Sequence, residues 1–223
     1  MVITMIKAII FDLDGTLVDS EPLNIRFWCE AMEVFGYEKN EQIIHQVIGI
    51  SHELSNKILG NYFGDALAQM RKYKEEKVRN YYASNSVPLK KGANEILAYL
   101  SDKVLLAIAT SSAKNKALPV LEKANLLTYF NTIITGDMVI NGKPNPEIFI
   151  KACDDLKVNP NEVMVVEDSK NGILAARNGG FLSVLIPDII QPDQEMLDAS
   201  NYVFSDLTLF HEFLEKLFNT CDR

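Results

Sequence analysis

The chain has few cysteines, no long hydrophobic run and a shortage of positive charge. Its three cysteines, Cys29, Cys153 and Cys221, stand far apart in 223 residues. They show neither the close spacing of a metal site nor the even number of a disulfide framework, so they read as buried or idle thiols. No apolar run approaches the ~20 residues that span a bilayer; Val104 to Ala109 is among the longest. Lysine and arginine total 22 against 30 acids, a net charge of -8. That balance excludes a nucleic-acid binder that works by neutralising phosphates, and docking on an anionic membrane. Internal repeats and low-complexity segments are absent. The opening MVITMIKAIIF flows into Asp12 without a small-residue cleavage site. It therefore reads as a strand and not a secretion signal, and the cytoplasm is the expected compartment.

What is present is apolar material in short runs. At 48% apolar residues the chain can bury one full core and a small second one. Ile6–Phe11, Val104–Ala109, Thr132–Ile134, Val163–Val166, Leu182–Ile186 and Tyr202–Phe204 read as strands. Helical stripes lie between them: Ala93, Ile96, Leu97 and Leu100 recur at helical spacing, as do Ile148, Phe149, Ala152 and Leu156. Alternation of this kind predicts an α/β fold, a mostly parallel sheet covered by helices on both faces. Residues 19–85 break the alternation. Asp19 or Ser20 can cap a helix with Pro22 in its first turn, Ile25, Trp28, Met32 and Phe35 form its stripe, and Gly36 can end it. A second helical stretch runs from Ala66 to Tyr82. The predicted division is a core of residues 1–18 and 86–223 with a small all-helical cap, 19–85, inserted after the first strand. A helical face of one larger domain is the alternative.

Ligands of such sheets sit beyond the carboxyl ends of the strands. That rule brings Asp12, Thr110 and Glu167-Asp168 to one edge, and four polar signals along the chain carry the candidate chemistry. Asp12 and Asp14 end the first strand, where one carboxylate can attack an electrophile while the other manages protons; turn formation is the plainer use of such a pair. Thr110, Ser111 and Ser112 end the second run and can hold phosphate oxygens, or merely cap the next helix. Lys143 sits in the stiff Asn141-Gly142-Lys143-Pro144 turn, ready for an anion or simply solvated. Glu167 and Asp168 end another run just before a helix, where acids can cap as well as ligate.

Taken in order, FDLDGTLVDS, IATSS, NGKPNPEIF and VVEDSKNGILAARNGG resemble the four motifs of the haloacid dehalogenase-like hydrolase superfamily. The chain is most similar to its β-phosphoglucomutase and sugar-phosphate phosphatase branch, with a Rossmann-like core. The resemblance implies Asp12 as the nucleophile and Asp14 as the general acid/base. It implies Thr110, with Ser111, as phosphoryl-binding groups and Lys143 as the charge-balancing cation. Mg²⁺ would be held by Asp12, the Asp14 backbone carbonyl and Asp168, with Glu167 behind them. Asp14 favours a phosphate ester over a haloacid, because a leaving alkoxide needs a proton.

In the cap the chain departs from the mutase. His52 stands where the mutase has a phosphate-holding arginine, and Asn24 where it has a histidine. Lys77 corresponds to a cap lysine, and Glu21 falls near the hinge. These departures point to hydrolysis of small phosphorylated metabolites; a monomer is the expected state. A hexose-phosphate mutase and a non-catalytic binding or regulatory protein are the rival readings.

Overall fold

Four consecutive apolar residues make β1 (Ala8–Phe11), and all four are buried. Such a strand must lie inside a sheet covered on both faces. The computed structural model, which describes residues 6–50 and 52–221, places it there. After β1 come α1 (Glu21–Val34), α2 (Glu41–His45), α3 (His52–Phe63), α4 (Leu67–Ser84) and α5 (Ala93–Leu100). Next are β2 (Leu105–Thr110), α6 (Lys114–Lys123), β3 (Thr132–Thr135), α7 (Glu147–Leu156), β4 (Val163–Glu167) and α8 (Lys170–Asn178). The chain continues with β5 (Leu182–Leu185), α9 (Gln194–Ala199), β6 (Tyr202–Val203) and α10 (Leu207–Cys221). The sheet order is β3-β2-β1-β4-β5-β6, with every pairing parallel.

Alternation along the strands builds two apolar layers. Ile9, Phe11, Leu106, Ile108, Met164 and Val166 face one side, where they meet Ile96 and Leu97 of α5 and Phe210 and Leu214 of α10. Ala8, Ile10, Ala107, Ala109, Val163 and Val165 face the other, against Ile148 and Phe149 of α7 and Ala175 and Ala176 of α8. β1 is central, and the chain crosses first to β2 on one side and later to β4 on the other. That reversal opens a crevice at the carboxyl ends of β1, β2 and β4.

Between β1 and β2, residues 21–84 carry α1 to α4 and, among the described residues, no strand. Trp28, Met32, Phe63 and Met70 form an apolar cluster of their own, while Leu23, Phe27 and Tyr82 join the larger core. The two connections of this insert run side by side. Val18 bridges Leu89 antiparallel, Asp19 N–H donates to Pro88 O at 2.9 Å, and Lys90 N–H donates to Leu17 O at 2.9 Å. Lys90 Nζ also pairs with Asp188 Oδ1 at 2.6 Å.

Two expectations about caps need correction. Ser20 occupies the N-cap position of α1, but its side chain makes no capping bond. The hydroxyls at 110–112 do not cap α6 either: Ala113 stands at that N-cap. Ser20 and residues 110–112 line the crevice instead. Among the described residues, no helix is long and apolar enough to cross a membrane. Cys29 and Cys153 are buried free thiols.

Candidate active site

Parallel register sets three strand ends level, with Phe11 opposite Ile108 on one side and Val166 on the other. Asp12 extends the pairing by one step, its N–H donating to Val166 O at 2.9 Å. Its carboxylate thus emerges at the crevice floor with only 7% of the residue exposed. Lys143 meets it from the loop after β3. The three N–H donors of this buried ammonium go to Asp12 Oδ1 at 2.6 Å, Glu167 Oε1 at 2.6 Å and Ala109 O at 2.9 Å. Burial opposes its charge, but the adjacent Asp12 and Glu167 outweigh burial and raise its pKa.

Glu167 ends β4 and is fully buried. Its Oε2 accepts from Asp168 N–H at 3.2 Å, Ser169 N–H at 3.1 Å and Ser169 Oγ at 2.9 Å. The start of α8 packs directly on this carboxylate: a Cβ on Gly172 would lie 1.9 Å from Glu167 Cδ. Asp168 Oδ1 accepts from Thr16 Oγ1 at 2.9 Å. Thr16 belongs to the turn after β1, where Gly15 has φ +87° and a Cβ would fall 2.4 Å from Asp168 Oδ2. Glycine is needed there both for the left-handed backbone and for the close approach.

One oxygen each from Asp12, Glu167 and Asp168 fall within 4.8 Å of one another. Three carboxylates share a single lysine, so negative charge is left over. Burial, opposed by Lys143 and reinforced by Glu167, pushes the Asp12 carboxyl up to about 7. Burial, then Glu167 and Asp12, raise Asp168 well above the usual carboxylate range. Hard oxygen donors with surplus negative charge fit a hard divalent cation. Glu167 has committed both oxygens to protein donors, whereas Asp12 and Asp168 each keep Oδ2 free of a protein hydrogen bond among the described residues.

Asp14 lies outside that cluster, with Ser112 Oγ donating to its Oδ2 at 2.8 Å. Ser112 is fixed in turn by its own N–H, which donates to Thr110 Oγ1 at 3.0 Å. Losing one such orienting bond costs about 1 kcal/mol. Ser112→Ala is therefore expected to lower kcat about fivefold while KM holds, since roughly 1.4 kcal/mol is tenfold in rate. Steady-state kinetics check this, and an unchanged kcat would show that Asp14 does not depend on Ser112.

A cavity of about 1,020 Å³ separates these groups from the helical insert. Asp12, Asp14, Thr110, Ser111, Lys143 and Asp168 all line it, whereas Glu167 lies beneath. From the insert, Glu21 and Asn24 line it as well. Burial, then the charges of Asp14 and Asp188, push Glu21 up to about 7. Asn24 Oδ1 accepts from Lys74 Nζ at 3.1 Å. Lys77 does not line the cavity; its Nζ pairs with Glu30 at 2.5 Å. The reason is helical phase. Arg71, Glu75, Val78 and Tyr82 share the inward face of α4, and Lys77 shares another face with Tyr73. His52 begins α3, and its side chain lies outside what is described. Sequence reasoning missed Thr16 and Ser169 and read Ser112 only as one of three hydroxyls that hold phosphate oxygens or cap. The hydroxyls among them had one signal, their place in the turns beside the acid pairs.

Fold and site define an enzyme of the α/β class that acts on phosphate esters. The profile of the haloacid dehalogenase-like hydrolases matches residues 9–186, and the chain belongs to that family. It is 34% identical over 178 residues to a phosphorylated carbohydrates phosphatase of Thermotoga maritima, covering 78% of this chain and 82% of that one. It is 30% identical to the validoxylamine A 7'-phosphate phosphatase of Streptomyces hygroscopicus subsp. limoneus, over 92% of this chain and 95% of that one. Among solved structures, the β-phosphoglucomutase of Clostridium difficile superposes with a TM-score of 0.76 at 26% identity, covering 98% of this chain and all of the other.

Proposed function

We propose that the protein is a Mg²⁺-dependent phosphatase of small phosphate monoesters, sugar phosphates foremost, working through an aspartyl phosphate on Asp12. The observation that carries this reading is the buried Lys143, bonded at 2.6 Å to both Asp12 and Glu167. It holds Asp12 Oδ1 and leaves Oδ2, which has no protein hydrogen bond among the described residues, as the nucleophilic oxygen. Asp12 attacks phosphorus, and the bond from phosphorus to the ester oxygen breaks. Asp14, steadied by Ser112, gives its proton to the departing alkoxide. Asp14 then takes a proton from water as that water attacks the aspartyl phosphate. The bond between phosphorus and Asp12 breaks, and inorganic phosphate leaves. Thr110 and Ser111 hydrogen-bond the phosphoryl oxygens throughout, and Lys143 offsets their charge. Asp12, Asp168 and the Asp14 carbonyl would hold Mg²⁺, which when bound supplies further positive charge toward the phosphoryl group.

Residues 19–85 act as a cap over this site, hinged on the paired segments 17–19 and 88–90. Glu21 and Asn24 meet the substrate from that side. Relatives named for phosphorylated carbohydrates support the sugar-phosphate class. The enzyme works as a cytoplasmic monomer, with neither nucleic acid nor membrane as partner. Phosphate release across sugar phosphates, nucleotides and short polyol phosphates tests the reading. Release from sugar phosphates is expected to vanish with EDTA and return with Mg²⁺. No release from any of them would end the phosphatase reading and favour a binding protein on this scaffold. The clostridial relative keeps a mutase in view. Glucose 6-phosphate formed from glucose 1-phosphate and a trace of bisphosphate, without free phosphate, would establish that instead.

A further inference from the structure

The charge-rich helix α4 carries a single aliphatic side chain between Met70 and Ala83, and that residue, Val78, lines the cavity over Asp12. The core helix α6 supplies Ala117, Pro119 and Val120 to the same cavity. Two lysines of α6 reach across the space between these helices. Lys116 Nζ meets Glu75 Oε1 at 2.7 Å, and Lys123 Nζ donates to Ala83 O at 3.4 Å. Val78 falls between the tied positions on α4, and Val120 between those on α6. Each lies one helical turn from a tied residue, so helical phase turns both valines toward the same space. Both also pack against the main core, which holds them in place. The result is an apolar strip framed by polar ties and continuous with the floor where Asp12, Thr110 and Lys143 meet the phosphoryl group. Pockets of about 300–1,000 Å³ enclose ligands of drug size. At about 1,020 Å³ this cavity leaves room beyond a phosphoryl group and one sugar ring. Apolar surface left facing water is a standing cost, which an apolar ligand relieves in proportion to the area it covers.

We infer that the site favours phosphate monoesters whose alcohol carries an apolar group at the end remote from the phosphoryl group, seated against Val78 and Val120. This rests on the phosphate-ester reading above. The floor then chooses the phosphoryl group, and the strip chooses what is attached at the far side of the sugar.

The test is calorimetric binding, with Mg²⁺, to the Asp12→Asn protein, in which ligands stay intact. Glucose 6-phosphate is compared with phenyl β-glucoside 6-phosphate, which has the same phosphoryl group and sugar and adds one aromatic ring at the far end. The phenyl glucoside is expected to bind tenfold or more tightly. Adding Val78→Thr and Val120→Thr together keeps the side-chain shapes and wets the strip, and should lower that ratio at least fourfold. Because both probes carry the same charge, the ratio cancels any effect on phosphate binding. Equal affinity for the two probes, binding of neither, or a ratio that survives the double substitution would overturn the inference. Should the double variant fail to melt cooperatively, the two single variants decide, and a ratio that neither lowers twofold counts against it. Wild-type protein that releases no phosphate from either probe or from p-nitrophenyl phosphate would sink the phosphatase reading alone, because binding still reports on the strip.

Discussion

Asp12→Asn should lower kcat by roughly 10⁴–10⁶-fold, the scale on which removing a nucleophile acts. The amide keeps the shape of the carboxylate, and its oxygen can still accept from Lys143 Nζ, which now sits 2.6 Å from Asp12 Oδ1. What disappears is the anionic oxygen that would attack phosphorus. Stability should hold, because the substitution removes one charge from a cluster in which Asp12, Glu167 and Asp168 outnumber the lysine. The expected pair of results is no single-turnover phosphate release and a melting temperature near that of wild type. Turnover close to wild type would remove Asp12 from its role. Loss of the folded state would mean that the carboxylate is structural first.

Lys143→Met separates the two kinds of importance in the opposite direction. The lysine is 7% exposed and satisfies Asp12, Glu167 and the Ala109 carbonyl at once. Methionine fills the space of the stem and leaves three buried acceptors without a donor. Breaking a buried pair by removing one partner costs about 3–5 kcal/mol. In a domain of this size that lowers the melting temperature by roughly 6–20 °C. Removing a charge-stabilising donor also lowers kcat by roughly 10²–10³-fold. Added Mg²⁺ should recover part of the melting temperature and little of the rate, since it relieves the acids without orienting Asp12. Differential scanning calorimetry with and without Mg²⁺, beside steady-state kinetics, reads both. A variant that melts and turns over like wild type would show that Lys143 carries neither load.

The strands that carry the site were legible because each is a short apolar run halted by polar residues. The expected Val163–Val166 is extended only to Glu167, and Val104–Ala109 shifts by one residue to Leu105–Thr110. Parallel order followed from the helices between them, and with it the meeting of Asp12, Thr110 and Asp168; Lys143 joined them only through the family resemblance. The groups that hold these side chains in place were not legible. Thr16 reaches Asp168 across 152 positions and Ser112 reaches Asp14 across 98. No local pattern reports a hydroxyl whose partner is set by the sheet. The inward face of α4 was hidden for a different reason. Charged residues crowd the middle of LAQMRKYKEEKVRNYYAS, from Arg71 to Arg79, so no apolar stripe there marks which side meets the cavity. Lys77 was chosen where Arg71 and Arg79 line the wall.

The adjoining segments 17–19 and 88–90 give the α1–α4 excursion a single doorway. A detour that leaves and rejoins a chain at one spot can be lengthened, shortened or traded without disturbing what lies on either side. On the proposed reading the tips of β1, β2 and β4 perform the reaction and the detour chooses what they act on, so drift in the detour reaches them chiefly through Leu23, Phe27 and Tyr82, which pack in the main core. New chemical tastes can be acquired in the detour while the older machinery beneath stays as it was.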